Sequence, residues 1–252
     1  MPAQTDVRVF PDLPSLSRAA AEELVERSRE AILARGRFTV ILAGGSTPKT
    51  LYTLLGEDPQ LKDQVAWDKV HFFFSDERHV PPEHPENNYR MAYRALLSKI
   101  PAPPWNAHRM ATELPDAEPV AEYCEEILRQ FFRLGPQEVP RFDLVLLGMG
   151  ADGHTASLFP GSDALQETKR LAVATWVEVL KARRITLTIP VFNNAEEVLF
   201  LVSGPEKAEA LHKVLEGPED PERYPAQAVQ PRQGRRLFFV DREAARLLKP
   251  RG

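Results

Sequence analysis

The chain has 252 residues, 43% of them hydrophobic and 27% charged, with a formal net charge of -4. This balance suits a globular α/β protein of one large or two small domains, and the acidic excess argues against a nucleic-acid surface while leaving room for a local basic pocket. The single cysteine, Cys124, excludes an intramolecular disulfide and a Cys-rich zinc site. The first ten residues lack a charged segment leading into an apolar core, and no apolar run approaches the ~18 residues of a membrane span. A cytoplasmic protein without membrane association is expected.

Residues 7–10 read as an edge strand. Residues 15–35 carry Leu16, Ala20, Leu24 and Ile32 at helical spacing and stop at Gly36. A buried strand follows at 38–42. Thr47 before Pro48 reads as an N-cap with proline in the first turn, so 49–55 is a predicted helix. A strand at 69–74 leads through a proline-rich turn to a helical pattern at 87–99. Residues 101–119 read as a loop and 120–134 as an amphipathic helix. Further strands are predicted at 144–147, 171–177, 185–189, 198–202 and 237–240, with helices from about 205 to 215 and over 241–248. Strands alternate with helices and no composition break intervenes. The pattern predicts a single-domain, doubly wound, Rossmann-like sheet over 1–252, mostly parallel, with helices on both faces.

Chemistry collects at the strand ends, where open α/β sheets bind ligands. After the strand at 38–42 comes Gly44-Gly45-Ser46-Thr47, a glycine turn at a helix N-terminus able to hold an anion; a plain capped turn is the alternative, and no Walker G-K-[ST] follows. After 69–74 comes Ser75-Asp76-Glu77-Arg78. Three adjacent charges are costly when buried unpaired, so they are expected to face a wet crevice, with Arg78 able to meet an anion in bidentate fashion. A solvated salt-bridge turn would give the same sequence. Arg183 and Arg184 precede the strand at 185–189. Lys207 lies near a helix N-terminus, a position that opposes the helix dipole unless both share an anionic ligand.

The strand at 144–147 stops at Gly148, Gly150 and Gly153, with Asp152 inside that cluster and His154 just after it. An acid and an imidazole at a glycine turn on a sheet's ligand-binding edge suggest an enzyme. The glycines spell G-x-G-x-x-G, yet Pro160 and Gly161 leave no room for the helix a dinucleotide site needs, and the next strand offers no acid. Together the strand ends predict a small phosphorylated substrate reacting near His154. His71, His79, His84, His108 and His212 show no metal-ligand spacing, and His79 and His84 are expected to be exposed.

The segments LAGGSTPKTLY (42–52), FSDERHVPPEHPENNY (74–89), GMGADGHTASLFPGS (148–162) and RITLTIP with VSGPEKAEAL (184–211) together resemble the 6-phosphogluconolactonase family, related to glucosamine-6-phosphate deaminase. The resemblance spans almost the whole chain. It implies hydrolysis of 6-phospho-D-glucono-1,5-lactone in the oxidative pentose phosphate pathway, with no metal or organic cofactor. It further implies His154 as general base, with Asp152 orienting the imidazole or holding a sugar hydroxyl. Gly44, Gly45, Ser46, Thr47, Arg184 and Lys207 match positions that hold the phosphate, and Arg78 faces the phosphate or the developing oxyanion. Asp76, Asn88, Gly150 and Gly153 line the pocket. The deaminase pattern continues past the histidine towards Asn-Glu-Pro, where this chain has Leu158-Phe159-Pro160; Phe159 cannot relay a proton, which favours the lactonase. A non-catalytic sugar-phosphate sensor is a third reading, disfavoured by the Asp152–His154 pair and the lack of spare length for a regulatory segment. The oligomeric state stays open, with a monomer as the default.

Overall fold

A computed structural model describes residues 5–249. The expectation about the first ten residues rests in part on residues 1–4, which lie outside the described residues. In chain order the elements are β1 (Thr5–Phe10), α1 (Leu13–Arg35), β2 (Phe38–Leu42), α2 (Ser46–Glu57), α3 (Pro59–Lys62), β3 (Val70–Phe74), β4 (Asp76–Arg78), α4 (Asn88–Ala95), α5 (Ala117–Phe132), β5 (Leu144–Gly148), β6 (Ala172–Val177), β7 (Ala182–Leu187), α6 (Ile189–Asn193), β8 (Glu197–Val202), α7 (Ala208–Glu216), β9 (Arg235–Asp241) and α8 (Arg242–Ala245).

Six strands form an all-parallel sheet in the order β1-β9-β8-β5-β2-β3. From β2 the chain steps out to β3, then crosses back to lay down β5, β8 and β9 on the other side. That reversal leaves a crevice beyond the carboxyl ends of β2 and β5, the place where such sheets take ligands.

Strand alternation divides the core between the two faces. Val40, Leu42, Leu144, Leu146, Leu199 and Leu201 point to one side and pack with Leu16, Leu24, Leu51 and Leu55 of α1 and α2. Ile41, Val145, Leu147, Val198 and Phe200 point to the other and pack with Val120, Leu128, Leu211 and Val214 of α5 and α7. Because both faces are covered, the strands are apolar at nearly every position, which made them legible as short apolar runs.

The structure differs from the predicted elements in instructive ways. β6 and β7 do not join the parallel sheet; with β4 they make a separate antiparallel sheet, β4-β7-β6. Ser75 is the point of exchange: its N–H donates to Leu42 O of β2 at 2.9 Å, and its carbonyl accepts from Leu187 N of β7, also at 2.9 Å. The residues read as a charged turn, 76–78, are thus a strand. The cap of α2 is Gly45, not Thr47, which lies inside the helix. The pattern at 87–99 is helical only through Ala95, followed by a 3₁₀ turn, and the one at 241–248 only through Ala245. α5 begins at Ala117, inside the predicted loop. His84 is exposed as expected, whereas His79 is part-buried, its Nε2 3.0 Å from Leu114 O.

Candidate active site

Four strand ends converge on one cleft. Its walls include Gly44, Gly45, Ser46 and Thr47 after β2, Ser75, Asp76 and Arg78 after β3, and Gly148, Gly150 and His154 after β5. Ser203 and Lys207 follow β8, and Asn88 of α4 closes one side. The cavity volume is about 200 Å³, room for a small polar molecule. No α-helix opens behind the G-x-G-x-x-G; the chain runs instead to a 3₁₀ turn at Asp163–Gln166.

The turn after β5 is built around the acid and the imidazole. Gly150 N–H donates to His154 O at 2.8 Å, and Gly153, with φ 82°, donates to Gly150 O at 3.1 Å. His154 Nδ1 lies 2.6 Å from Asp152 Oδ1, and the same oxygen accepts from His154 N–H at 3.1 Å. Burial acts to raise the Asp152 carboxyl, but the hydrogen bonds and charge of His154 outweigh it and hold it below the usual carboxylate value. An ionised Asp152 accepts only, so Nδ1 presents a proton to it and Nε2 is the ring nitrogen left free of that bond. The imidazole is stacked on Phe159, with centroids 4.0 Å apart. Asp152 and Gly153 stand outside the cleft walls. Asp152 acts on His154 from behind, and Gly153 packs against Tyr224.

The turn after β2 offers the N-terminus of the twelve-residue helix α2, whose first N–H groups have no intrahelical acceptor. Tyr52 of that helix locks it to the strand end: its hydroxyl accepts from Ala43 N–H at 2.8 Å and donates to Ala43 O at 2.9 Å. Burial pushes this phenol up, so it stays neutral. Gly44 lies against Asn88, whose Oδ1 would be 2.2 Å from a Cβ at that position. Lys207, at the start of α7, brings its ammonium to the same cleft. Asp241 fixes that loop by accepting from Ser203 Oγ at 2.5 Å and from Gly204 N–H.

The charges after β3 separate in role. Asp76 accepts from Ser75 Oγ at 3.0 Å and from Ser157 Oγ at 2.6 Å, tying the β3 end to the His154 loop. Glu77 does not face the wet crevice expected for it. It is 1% exposed and accepts the N–H groups of Arg78, Asn88 and Tyr89 at 2.8, 2.7 and 2.9 Å. Burial pushes its carboxyl up to about 7 against those donors. Arg78 lines the cleft and donates to Glu86 O at 2.7 Å. Arg184 lies outside the cleft walls, directly opposite Arg78 across the β4–β7 ladder. Burial, then the like charge of Arg78, holds the Arg184 guanidinium below its usual range. Neither Nε has a partner. Two facing guanidiniums with spare donors are suited to an anion.

Sequence reading missed Ser157 and Tyr52 as supports of the site and placed Glu77 in the crevice instead of beneath α4. Ser157 and Tyr52 carry no charge, and Glu77 finds its partners on a helix eleven residues on, so no local signal marks them.

The chain matches the family model of glucosamine-6-phosphate isomerases/6-phosphogluconolactonase over residues 11–238. It is 39% identical over 250 residues to the 6-phosphogluconolactonase of Synechocystis, covering 99% of this chain and all of that one. It is 38% identical to the Mycobacterium tuberculosis 6-phosphogluconolactonase, covering 96% and 97%. Among solved structures, 6-phosphogluconolactonase from Trypanosoma cruzi superposes with a TM-score of 0.86 at 31% identity, covering 99% of each chain. A monomeric glucosamine-6-phosphate deaminase shares the fold, with a TM-score of 0.78 at 22% identity over 96% of this chain and 99% of that one. The chain belongs to the glucosamine-6-phosphate isomerase/6-phosphogluconolactonase family.

Proposed function

We propose that this protein hydrolyses 6-phospho-D-glucono-1,5-lactone to 6-phospho-D-gluconate in the oxidative pentose phosphate pathway, with His154 as general base. The observation that carries the proposal is His154, held by Asp152 at 2.6 Å, on the wall of a cleft that also has a helix N-terminus and two cations. With Nδ1 bound to Asp152, Nε2 takes a proton from water as its oxygen attacks C1 of the lactone. The tetrahedral oxyanion then collapses and expels the ring oxygen, which receives the proton back from the imidazolium. The open-chain product acid ionises to a carboxylate and releases its proton to solvent. Acid–base assistance of this kind supplies roughly 10² to 10⁴ in rate, enough for an already activated ester.

The Gly44–Thr47 turn and Lys207 hold the substrate phosphate. Arg78, with Arg184 behind it, offers charge to the phosphate or to the developing oxyanion. Asp152 fixes the imidazole tautomer, the role its hydrogen bond supports in preference to holding a sugar hydroxyl. The deaminase alternative is not favoured: Phe159, 8% exposed and stacked on His154, occupies the position where that pattern has a glutamate. The charged, membrane-impermeant substrate fits the cytoplasmic location expected of the chain.

The test is a coupled assay in which glucose-6-phosphate and its dehydrogenase generate the lactone and proton release is followed after quenching the dehydrogenase. Wild-type protein is expected to accelerate hydrolysis, and His154→Ala to lose roughly 10²-fold or more while still binding 6-phosphogluconate. A His154→Ala variant with near-wild-type rate would remove the base. Binding without turnover by the wild type would make the protein a sensor.

A further inference from the structure

Neither Tyr224 nor Arg236 is in the cleft, yet Tyr224 packs on the turn that carries His154 and Arg236 holds Ala226, whose N–H bonds that turn. We propose that residues 218–230, fastened by Gln227 and Arg236 and bearing on Gly153 through Tyr224, are the element that positions the Asp152–His154 pair. Tyr224 and Arg236 are then positioning residues for the hydrolysis. This inference rests on the role of His154 proposed above.

Gly153 lies between the acid and the imidazole in the chain, so whatever fixes its peptide fixes both side chains. Its carbonyl accepts from Ala226 N–H at 3.0 Å. On the same glycine, a Cβ would lie 2.9 Å from Tyr224 Cδ1 and 3.2 Å from Tyr224 Cα, so the tyrosine packs directly on the glycine backbone. A second grip comes further along the loop, where Gly161 N–H donates to Glu222 O at 3.2 Å.

The gripping segment contains only a 3₁₀ turn, Pro225–Ala228, yet Ala226 is fully buried and Gln227 is 5% exposed. Buried backbone without a ladder must find its partners among side chains. Gln227 supplies two of them, its Nε2 donating to Pro218 O at 3.0 Å and its Oε1 accepting from Asp220 N–H at 2.6 Å, while Nε2 also ties the segment to Lys213 O of α7 at 2.9 Å. Arg236 of β9, 7% exposed, donates from Nη2 to Ala226 O at 2.9 Å. Its guanidinium lies over the Phe238 ring at 5.0 Å and the Phe200 ring at 5.8 Å. Ala226 therefore joins two things: its carbonyl is held by a buried cation and its N–H holds the catalytic turn. A charged donor gives a stronger hold than a neutral one, and here it ties the turn to the rigid sheet.

Steady-state kinetics would be compared for Tyr224→Ala, Tyr224→Phe, Arg236→Met and His154→Ala, with the concentration of competent protein fixed by 6-phosphogluconate binding. Tyr224→Ala and Arg236→Met are expected to lower kcat by roughly tenfold with KM changed less than about threefold, since a displacement near 1 Å costs up to ~10² in rate. Tyr224→Phe keeps the wild-type kcat, because the ring and not the hydroxyl makes the contact. If Tyr224→Ala retains wild-type kcat, or changes KM alone, while His154→Ala is inactive, the positioning proposal is overturned and the function stands. If His154→Ala itself stays active, the function reading falls and this one with it. Should Arg236→Met fail to fold, Tyr224→Ala, at the part-exposed end of the segment, still decides.

Discussion

Gly150 has space for a hydrogen and for nothing larger. A Cβ there would sit 2.1 Å from His154 Nδ1 and 2.5 Å from Asp152 Oδ1, the two atoms that make the pair. Its backbone does not need the left-handed region, so Gly150→Ala is expected to fold and lose turnover at the same time. Circular dichroism and the coupled assay together check this; a variant with normal activity would show that the pair tolerates displacement. At this scale the sequence was informative where chemistry is local. Asp152 and His154 are two residues apart and flanked by glycines, so one window displays them. Ser157 and Tyr224 could not be found that way, because each works on a residue about seventy to eighty positions distant, Ser157 on Asp76 and Tyr224 on Gly153.

Helix α4 shows how a charge can be misread at the scale of an element. Glu77 was placed in water because three adjacent charges seldom share a dry site, but it lies buried at the N-terminus of α4, accepting from the N–H groups of Asn88 and Tyr89 beside the Asn87 cap. Helix N-termini welcome carboxylates, and nothing in residues 75–78 announces a helix end eleven residues later. Burial lifts this carboxyl from 4.5 to about 7. Between those values the folded protein holds a proton that the unfolded chain releases, so Glu77 makes stability fall as pH rises from about 4.5 through 7. Glu77→Gln, neutral throughout, is expected to flatten the melting temperature against pH over that window. Glu197, also raised to about 7 by burial, contributes to both proteins alike. Parallel curves for the two proteins would exclude Glu77 as the source. The small sheet was misassigned for a related reason: β6 and β7 look like any apolar strands, and only the hydrogen bonds of Ser75 reveal that the chain leaves the main sheet there.

Over the whole molecule, the site is a property of topology. Turns after β2, β3, β5 and β8 meet because the strand order reverses between β2 and β5, and alternation of strands with helices was enough to predict that edge. Which residues face the crevice was less legible, as Arg184 shows by standing behind Arg78. The helix end, Arg78 and Lys207 offer donors and positive charge to an anionic ligand. 6-Phosphogluconate at a hundred times its Kd is expected to add about 2.7 kcal/mol of stability, or roughly 5–10 °C in Tm. Lys207→Ala, losing a bond to a charged group worth roughly 1.5–3 kcal/mol, needs ten to a hundred times more ligand for the same shift. Thermal melts of the two proteins across a ligand series check both numbers, and identical series would return Lys207 to the surface.

The pairing of β1 with β9 has a consequence for how the molecule is made. The first strand of the described chain finds its only neighbour in the last, Thr5 opposite Arg236. At ribosomal speeds of ~5–20 residues per second, β1 leaves the tunnel on the order of ten to forty seconds before its partner exists. During that interval β1 is an unpaired edge, and β8 presents the other edge of the gap that β9 will fill. Closure of the sheet at this gap therefore waits until late in translation, when β9 is made.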